Sequence, residues 1–259
     1  MTPGSTLGLG IGLLWFSLLV LIPLSAIVVE ASGGGLDTYK NALTNDQTFN
    51  ALKITVIAAL VTTAINMVMG TTIAWVLVRD RFRGKALLDL IIDIPFAMPT
   101  IVAGLVLLAL YGSQGPLGTS FENTRMAVFL AIAFVTLPFV VRTVQPVLEE
   151  METEVEDAAA SLGASRFTTF RRIVLPTLVP AIFAGAALSF ARGISEYGSL
   201  VLLSGNLPNK TEVSSFRVAS LLEGGSRASA AAVATLMLLV ALIAIVALDV
   251  TQRRLARRG

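Results

Sequence analysis

Two ionisable residues, Arg192 and Glu196, stand four positions apart inside an apolar stretch long enough to cross a membrane. Residues at this spacing share one face of a helix and can form an ion pair. A charge inside the bilayer costs at least about 2.5 to 3.5 kcal/mol, so such a residue faces the bundle interior, where it pairs or lines a pathway. Two interpretations stay open, an ion pair that locks the helix and an arginine that faces a passing anion. A pair that opens when the substrate arrives would combine them.

Hydroxyl groups near this pair could accompany an anion into the membrane. An anion that loses its water needs hydrogen-bond donors along its path, and Ser195, Tyr197 and Thr100 carry such donors. The alternative for each hydroxyl is an ordinary contact between helices, worth about 1 kcal/mol. The candidate translocation path or gate therefore consists of Arg192, Glu196, Ser195, Tyr197 and Thr100.

Enzyme chemistry finds little support in the composition. The chain has no cysteine and no histidine, which excludes disulfides, thiolate nucleophiles, imidazole bases and the usual transition-metal ligands. It has no G-x-x-x-x-G-K-[S/T] phosphate-binding loop, so energy from ATP must come from a partner. The net charge of +2 comes without a basic groove of interleaved aromatic residues, so no nucleic acid partner is expected. We expect no catalytic residues, no metal site and no enzyme activity in this chain.

The elements that must position these residues are membrane helices. Hydrophobic residues make up 55% of the chain and charged residues 14%, and the mean hydropathy is +0.80, which is typical of an all-α polytopic integral membrane protein. A span needs about 20 apolar residues. Six stretches satisfy this length, namely 7–29, 52–78, 86–111, 126–144, 178–204 and 230–250. The first lacks a positive leader and is too long for a signal peptide, so we expect it to remain as a helix.

Prolines and acids mark the third stretch, and longer polar segments separate some of the others. Pro95 and Pro99 predict a kink near its start, while Asp89 and Asp93 favour a solvated or arginine-paired face over a cation site. Residues 32–50 and 205–229 are expected to be external loops. We divide the chain into an N-terminal helix and external loop (1–50), a transmembrane core (51–250) with a coupling loop at 145–177, and a basic tail (251–259).

The distribution of Lys and Arg predicts the orientation, because positively charged loops stay in the cytoplasm. The larger group lies at Arg79, Arg81, Arg83, Lys85, Arg142, Arg166, Arg171, Arg172, Arg253, Arg254, Arg257 and Arg258. The smaller group, on the other side, comprises Lys40, Lys53, Arg125, Lys210, Arg217 and Arg227. Both termini and the loop around residue 160 are therefore expected in the cytoplasm.

The cytoplasmic loop around residue 160 has the pattern of two short helices that meet at a glycine. The acids of its first part favour a helix N-terminus, and Gly163 favours the helix end. Ser165 can cap a second helix, basic in character, which Pro176 is expected to bound. We call this pair of helices the elbow (residues 153–176) and expect it to contact another protein.

The elbow resembles the EAA loop of the membrane subunits of ABC importers, which reads E-A-A-x-x-x-G, nine residues and I-x-L-P. Asp157-Ala158-Ala159, Gly163 and the run Ile173-Val174-Leu175-Pro176 match it, with Asp157 in place of the usual Glu. The resemblance implies the type I ABC importer fold and a loop whose coupling helices dock in a cleft of an ATPase subunit. The residues that it implies for ATPase coupling are Glu156, Asp157, Ala158, Ala159, Gly163, Ile173, Leu175 and Pro176.

Three further segments are similar to the T-type permease subunit of sulfate and thiosulfate importers. They are residues 93–104, 137–150 and 210–213. This resemblance implies a bacterial cytoplasmic (inner) membrane protein that works with a second related permease subunit, two copies of an ABC ATPase, an external sulfate-binding protein and membrane lipid. ATP and Mg would bind to the ATPase, and no cofactor to this chain. Lys210-Thr211-Glu212 is a candidate contact for the external protein.

Other functions remain open at this point. A molybdate or tungstate permease would share the machinery and differ in cargo. An ion-coupled secondary transporter that works alone is disfavoured by the absence of histidine, the scarcity of intramembrane acids and the presence of the elbow. A polytopic membrane enzyme would need a catalytic constellation that the sequence does not offer.

Overall fold

A computed structural model describes residues 3–33 and 35–256, and all regular secondary structure in this part of the chain is helical. Gly34, within the first predicted external loop, and Arg257 and Arg258, counted among the cytoplasmic charges, lie outside the described residues. The helices are α1 (Pro3–Phe16), α2 (Ile22–Ser32), α3 (Gly35–Thr44), α4 (Asp46–Arg79), α5 (Lys85–Ala97), α6 (Thr100–Tyr111), α7 (Arg125–Glu150), α8 (Thr153–Ser161), α9 (Arg166–Thr169), α10 (Leu175–Ile194), α11 (Gly198–Leu203), α12 (Ser214–Glu223) and α13 (Arg227–Ala256). Five-residue π-helical segments join α1 to α2 (Ser17–Leu21) and α9 to α10 (Phe170–Val174). The predicted all-α class is confirmed.

The centre of the bundle is formed by α4, α7 and α10, which pack against one another. Small and β-branched residues line their contacts, so the backbones approach closely, as is usual between membrane helices. Leu77, Val141 and Leu178 are buried where the three helices meet. A buried amide adds a polar contact, since Asn66 Nδ2 on α4 donates to Thr136 Oγ1 on α7 at 2.8 Å. Helices α13 and α2 pack outside this core.

Five helical segments of the described chain are long and apolar enough to cross a membrane, at Leu7–Ser32, Asp46–Arg79, Arg125–Glu150, Arg166–Ile194 and Arg227–Arg254. The third predicted span is different, because it divides into α5 and α6, which are bent by 119° relative to each other. Counting this pair as one broken span gives the predicted six. Its two halves contact α7 at different heights, since Asp93 of α5 binds Arg142 while the Tyr111 carbonyl at the end of α6 accepts from the Phe121 amide just before α7 begins.

The prediction of one kinked helix at 86–111 is wrong, and Pro99 explains the break. A residue that precedes proline avoids helical backbone angles, and Met98 is extended, with φ −97° and ψ 145°. Pro95, by contrast, lies inside α5 without ending it. Only the second of the two prolines therefore interrupts the span.

The fifth predicted span, at 178–204, is also interrupted. Helix α10 ends at Ile194 and α11 begins at Gly198, leaving Ser195–Tyr197 outside regular helix. The Glu196 carboxylate accepts hydrogen bonds from the Ser199 amide and hydroxyl, both at 2.9 Å. A side chain that binds nearby backbone in this way competes with the continuous helix, so the predicted unbroken span is wrong. We call residues 195–197 the α10–α11 break.

The two segments expected to be external loops contain helices. Helix α3 and the start of α4 occupy the first, and α12 occupies the second. The side chain of Asn45 accepts from the Thr48 amide and caps α4 at its beginning. The expectation of irregular backbone is wrong here because polar, glycine-flanked sequence also suits short surface helices, while the external position of both segments stays a prediction.

Candidate coupling surface and translocation path

The first elbow helix, α8, ends as the sequence predicts, at Gly163. The Ala164 amide donates to the Ala159 carbonyl at 3.0 Å and the Gly163 amide to the Ala160 carbonyl at 2.9 Å, which is the Schellman pattern of a helix C-terminus. Gly163 has φ +82°, a conformation that suits glycine because residues with a Cβ atom are strained there. The turn therefore fixes the angle between α8 and the second elbow helix.

An ion pair ties α8 to the core of the bundle. Arg79 Nη2, at the end of α4, lies 2.8 Å from Glu156 Oε1 and donates to the Met151 carbonyl at 3.2 Å. The carboxylate of Glu156 thus faces the bundle, whereas Asp157 and Ala158 are exposed. The sequence marked Arg79 only as a topology signal, and nothing in the pattern pointed to this contact.

The outer surface of the elbow carries exposed apolar side chains among charges. Leu162 is 89% exposed and Phe167 is 72% exposed. Asp157 and Arg166 beside them are also exposed. Apolar side chains rimmed by charge on a short projecting element are typical of a protein-binding surface. Behind this surface, a cavity of about 400 Å³ between the elbow and the end of α4 is lined by Trp75, Arg79, Glu156, Arg166 and Phe170, among others.

The second elbow helix begins as predicted but does not stop at Pro176. The side chain of Ser165 accepts from the Thr168 amide and caps α9. The chain then continues through the π-helical segment directly into α10, with Pro176 in its first turn. The Leu175 amide binds the Phe170 carbonyl five residues back, and such a π-bulge is a usual place for a helix to change direction. The predicted boundary at Pro176 is wrong. Ile173 lies in the π-helical segment, and Leu175 and Pro176 lie in the first turn of α10.

Arg192 and Glu196 form the ion pair that was one of the two predicted interpretations. Arg192 Nη1 lies 2.7 Å from Glu196 Oε2, and the Glu196 side chain is fully buried whereas 31% of the Arg192 side chain is exposed. Among the described residues, Oε2 has no aligned hydrogen-bond donor, so the attraction of charge holds this contact. The other oxygen, Oε1, is fixed by Ser199, and the Glu196 backbone carbonyl accepts from Ser215 Oγ at 2.7 Å.

The other candidate path residues surround the same break. Ser195 and Tyr197 are exposed, although the Ser195 hydroxyl donates to the carbonyls of its own helix. The Tyr197 ring stacks on Phe216, with 5.3 Å between centroids. Thr100, half-buried at the start of α6, lies against Gly198. The structure therefore brings all five predicted path residues to one place on the bundle.

The predicted contact segment Lys210-Thr211-Glu212 is held mainly by internal bonds. Thr211 Oγ1 donates to the Ser204 carbonyl and accepts from the Leu207 amide. Gln47 Nε2 donates to buried Glu212 at 2.8 Å. Of the three residues, Lys210 alone is exposed, which limits what the segment can offer another protein.

Comparison with known proteins assigns this arrangement to a family. A family described as "Binding-protein-dependent transport system inner membrane component" matches residues 66–258. The chain belongs to this family. Its relatives include the protein named "Sulfate transport system permease protein CysT" of Salmonella typhimurium, 43% identical over 99% of this chain and 95% of the relative. The protein of the same name from Synechocystis is 41% identical over 82% of this chain and 76% of the relative.

Solved structures show the same fold. A bacterial ABC transporter involved in the import of the acidic polysaccharide alginate aligns with a TM-score of 0.80 at 17% identity, over 96% of this chain and 95% of that chain. The MetNI methionine ABC transporter aligns with a TM-score of 0.56 at 19% identity, over 80% of this chain and 94% of that chain. The permease thus has the transmembrane fold of ABC transporters.

Family membership decides between the classes of function that the sequence left open. The permease is a multi-pass inner membrane protein and a transport component. This finding favours the ABC importer over an ion-coupled transporter that works alone and over a membrane enzyme. The predicted resemblance to ABC importer permeases is confirmed.

Proposed function

We propose that this permease forms half of the membrane pathway of an ATP-driven importer for sulfate and thiosulfate. The observation that carries the proposal is the elbow, a projecting pair of short helices with exposed Leu162 and Phe167 on a chain without a phosphate-binding loop. Such a chain can use ATP only through a partner that docks there. The names of relatives more than 40% identical support the cargo.

The partners that we propose follow from this division of labour. An ABC ATPase, in two copies that bind ATP and Mg, would cover the elbow of this chain and that of a second related permease subunit. An external sulfate-binding protein would deliver the anion to the opposite face. The Arg79–Glu156 ion pair would hold α8 in position, while Asp157, Ala158 and the apolar side chains make the contact. Both chain termini would then lie in the cytoplasm with the elbow.

The path for the anion would pass the α10–α11 break. Arg192 is the positively charged side chain there, and part of it is exposed while its acidic partner is buried. A dianion that reaches the break would compete with Glu196 for the guanidinium group, and the exposed Tyr197 and half-buried Thr100 would supply further polar contacts. A contact shared in this way is transient, as transport requires, because tight binding would prevent release.

The test of cargo is uptake of labelled sulfate into vesicles that contain the permease, its sister subunit and the ATPase, with the external sulfate-binding protein on the face opposite the elbow. We expect ATP-dependent uptake that unlabelled thiosulfate reduces. Uptake of molybdate or tungstate with none of sulfate would replace the cargo assignment by the other oxyanion importer. Sulfate uptake without ATP or without the ATPase would contradict the proposal.

The test of the elbow uses two glycines with similar backbone angles at different sites. Gly163 has φ +82° and Gly118, in the segment between α6 and α7, has φ +66°, and an added Cβ atom would have open space at both positions. Valine is strained at positive φ by more than other residues. We expect Gly163→Val to lose ATPase binding and uptake in the assembled complex, whereas Gly118→Val retains both. Equal loss in the two variants would show a general folding defect.

A further inference from the structure

A single arginine joins α5, the first half of the broken span, to α7. Arg142 Nε donates to Asp93 Oδ1 at 2.7 Å, and Nη1 donates to Asp89 Oδ1 at 2.7 Å. Nη2 also donates to the Asp89 backbone carbonyl at 2.8 Å. On its own helix, Arg142 Nη1 donates to Gln145 at 2.6 Å. The guanidinium group therefore binds two successive turns of α5 from one position on α7.

Apart from the Arg142 contacts, α5 packs against the core through Ile92 and the half-buried Leu88. Ile92 is its one buried residue, whereas Leu87, Leu90 and Ile91 are exposed. The Phe96 ring packs edge-on against Phe139 of α7, with 4.8 Å between centroids. Both specific contacts thus join α5 to the same helix. Arginine suits this role because its planar fork can bind several acceptors in fixed directions, which a lysine cannot do.

Helix α6, the second half of the broken span, packs against a different element, α11. Gly104 of α6 lies so close to α11 that a Cβ atom there would be 2.7 Å from the Ser199 carbonyl oxygen. Ser199 also donates two hydrogen bonds to Glu196. The interruption at Met98–Pro99 therefore separates α5, which Arg142 attaches to α7, from α6, which packs against α11 next to the α10–α11 break.

We propose that Arg142 is a positioning residue that makes α5 and α7 move as one unit during transport. Helix α7 ends at Glu150 and the elbow helix α8 begins at Thr153, so a displacement of the elbow reaches α7 directly. Arg142 passes it to α5, the bend at Met98–Pro99 converts it into a movement relative to α6, and α6 contacts the residues around Glu196. This inference rests on the proposed function, because it requires a partner that moves the elbow.

Distances between spin labels test directly whether α5 and α7 move together. Because this chain has no cysteine, single cysteines can be introduced at chosen positions and labelled. One pair, Leu87→Cys with Glu150→Cys, lies within the proposed unit, and a second, Leu87→Cys with Leu105→Cys, spans the bend. In the assembled complex, we expect ATP to change the second distance and to leave the first unchanged. A change in the first distance as large as in the second would overturn the proposal, as would ATP-driven uptake with neither distance changing.

Substitutions of Arg142 give an independent readout. Arg142→Met is expected to retain at least half of the ATP hydrolysis of the complex and to lose at least tenfold in uptake, and Arg142→Lys to recover part of it. The matched control is Arg125→Met at the other end of α7, where Arg125 donates to the Lys210 carbonyl and uptake should be retained. Equal loss of hydrolysis and uptake in Arg142→Met, with assembly intact, would contradict a positioning role. If this variant fails to assemble, the distances in the natural background decide.

The two proposals fail in different ways. A wrong cargo leaves wild-type sulfate uptake absent while the ATP-dependent distances behave as described. If Arg142 does not couple α5 to α7, sulfate uptake is present but ATP changes the distance between the labels at positions 87 and 150.

Discussion

The side chain of Glu196 is fully buried, whereas 31% of the Arg192 side chain remains exposed. Ser199 fixes one carboxylate oxygen through two hydrogen bonds, and Arg192 lies next to the other. The acid is therefore anchored and the base is the partner that can move. In the proposed pathway, this asymmetry would let Arg192 leave Glu196 and bind a passing anion.

We expect Arg192→Met to reduce ATP-dependent uptake by about tenfold to hundredfold, the loss that corresponds to a charged hydrogen-bond partner worth about 1.5–3 kcal/mol. The variant also leaves the buried Glu196 without its counter-charge, which destabilises a protein by about 3 kcal/mol or more. Thermal unfolding of the purified complex in detergent measures this second effect separately from uptake.

The double variant Arg192→Met with Glu196→Gln separates the two roles. It removes both charges, so we expect thermal stability to return toward that of the wild type while uptake stays low. Recovery of uptake together with stability would show that the pair serves only to hold the helix.

At the scale of elements, periodicity and apolar length predict where helices exist but not where they break. The sequence places the elbow turn at Gly163 and the cap at Ser165 correctly, because both depend on neighbouring residues alone. The break before Gly198 depends on where the Glu196 carboxylate points, and the division of the third span depends on which proline meets an extended residue. The contacts of Arg79 and Arg142 join residues far apart in sequence, so no local pattern could indicate them.

The crossing of α6 and α11 gives a prediction at this scale. A Cβ atom at Gly104 would lie 2.7 Å from the Ser199 carbonyl oxygen and 3.1 Å from its Cα atom. Because backbone must shift to make room, we expect Gly104→Ala to destabilise the complex by about 1–3 kcal/mol and to reduce uptake.

Gly10→Ala is the matched control for this crossing. Gly10 lies in α1 with nothing within 4 Å of an added Cβ atom, so alanine there should be neutral or slightly stabilising, because alanine favours helix more than glycine does. Thermal unfolding of both variants is the measurement, and equal stability of the two would contradict the close approach of α6 and α11.

At the scale of the whole molecule, the charges of the segments between helices predict one orientation in the membrane. Arg79, Arg81 and Arg83 lie near the end of the bundle that carries the elbow, and the described contacts agree, since Arg79 binds Glu156. The segments around Gly118 and α12 lie at the other end. The positive-inside tendency therefore predicts that the elbow end lies in the cytoplasm.

Labelling of single cysteines checks this orientation. In intact cells, a membrane-impermeant maleimide should label Gly118→Cys and leave Phe82→Cys unlabelled until the membrane is permeabilised. Both positions are exposed in the structure, so accessibility depends on the side of the membrane. The reverse pattern would invert the topology and move the elbow outside.

The pairing of Arg192 with Glu196 has a consequence for how membrane voltage acts on the permease. An opposite pair carries no net charge, so an electric field across the membrane exerts little force on the empty site. A sulfate dianion, the cargo proposed above, moves against the electrical force when it enters a cell that is negative inside, at a cost of about 4.6 kcal/mol per 100 mV, twice the value for one charge. Voltage thus opposes the cargo rather than the pair, so the electrical work falls to the step in which the dianion crosses.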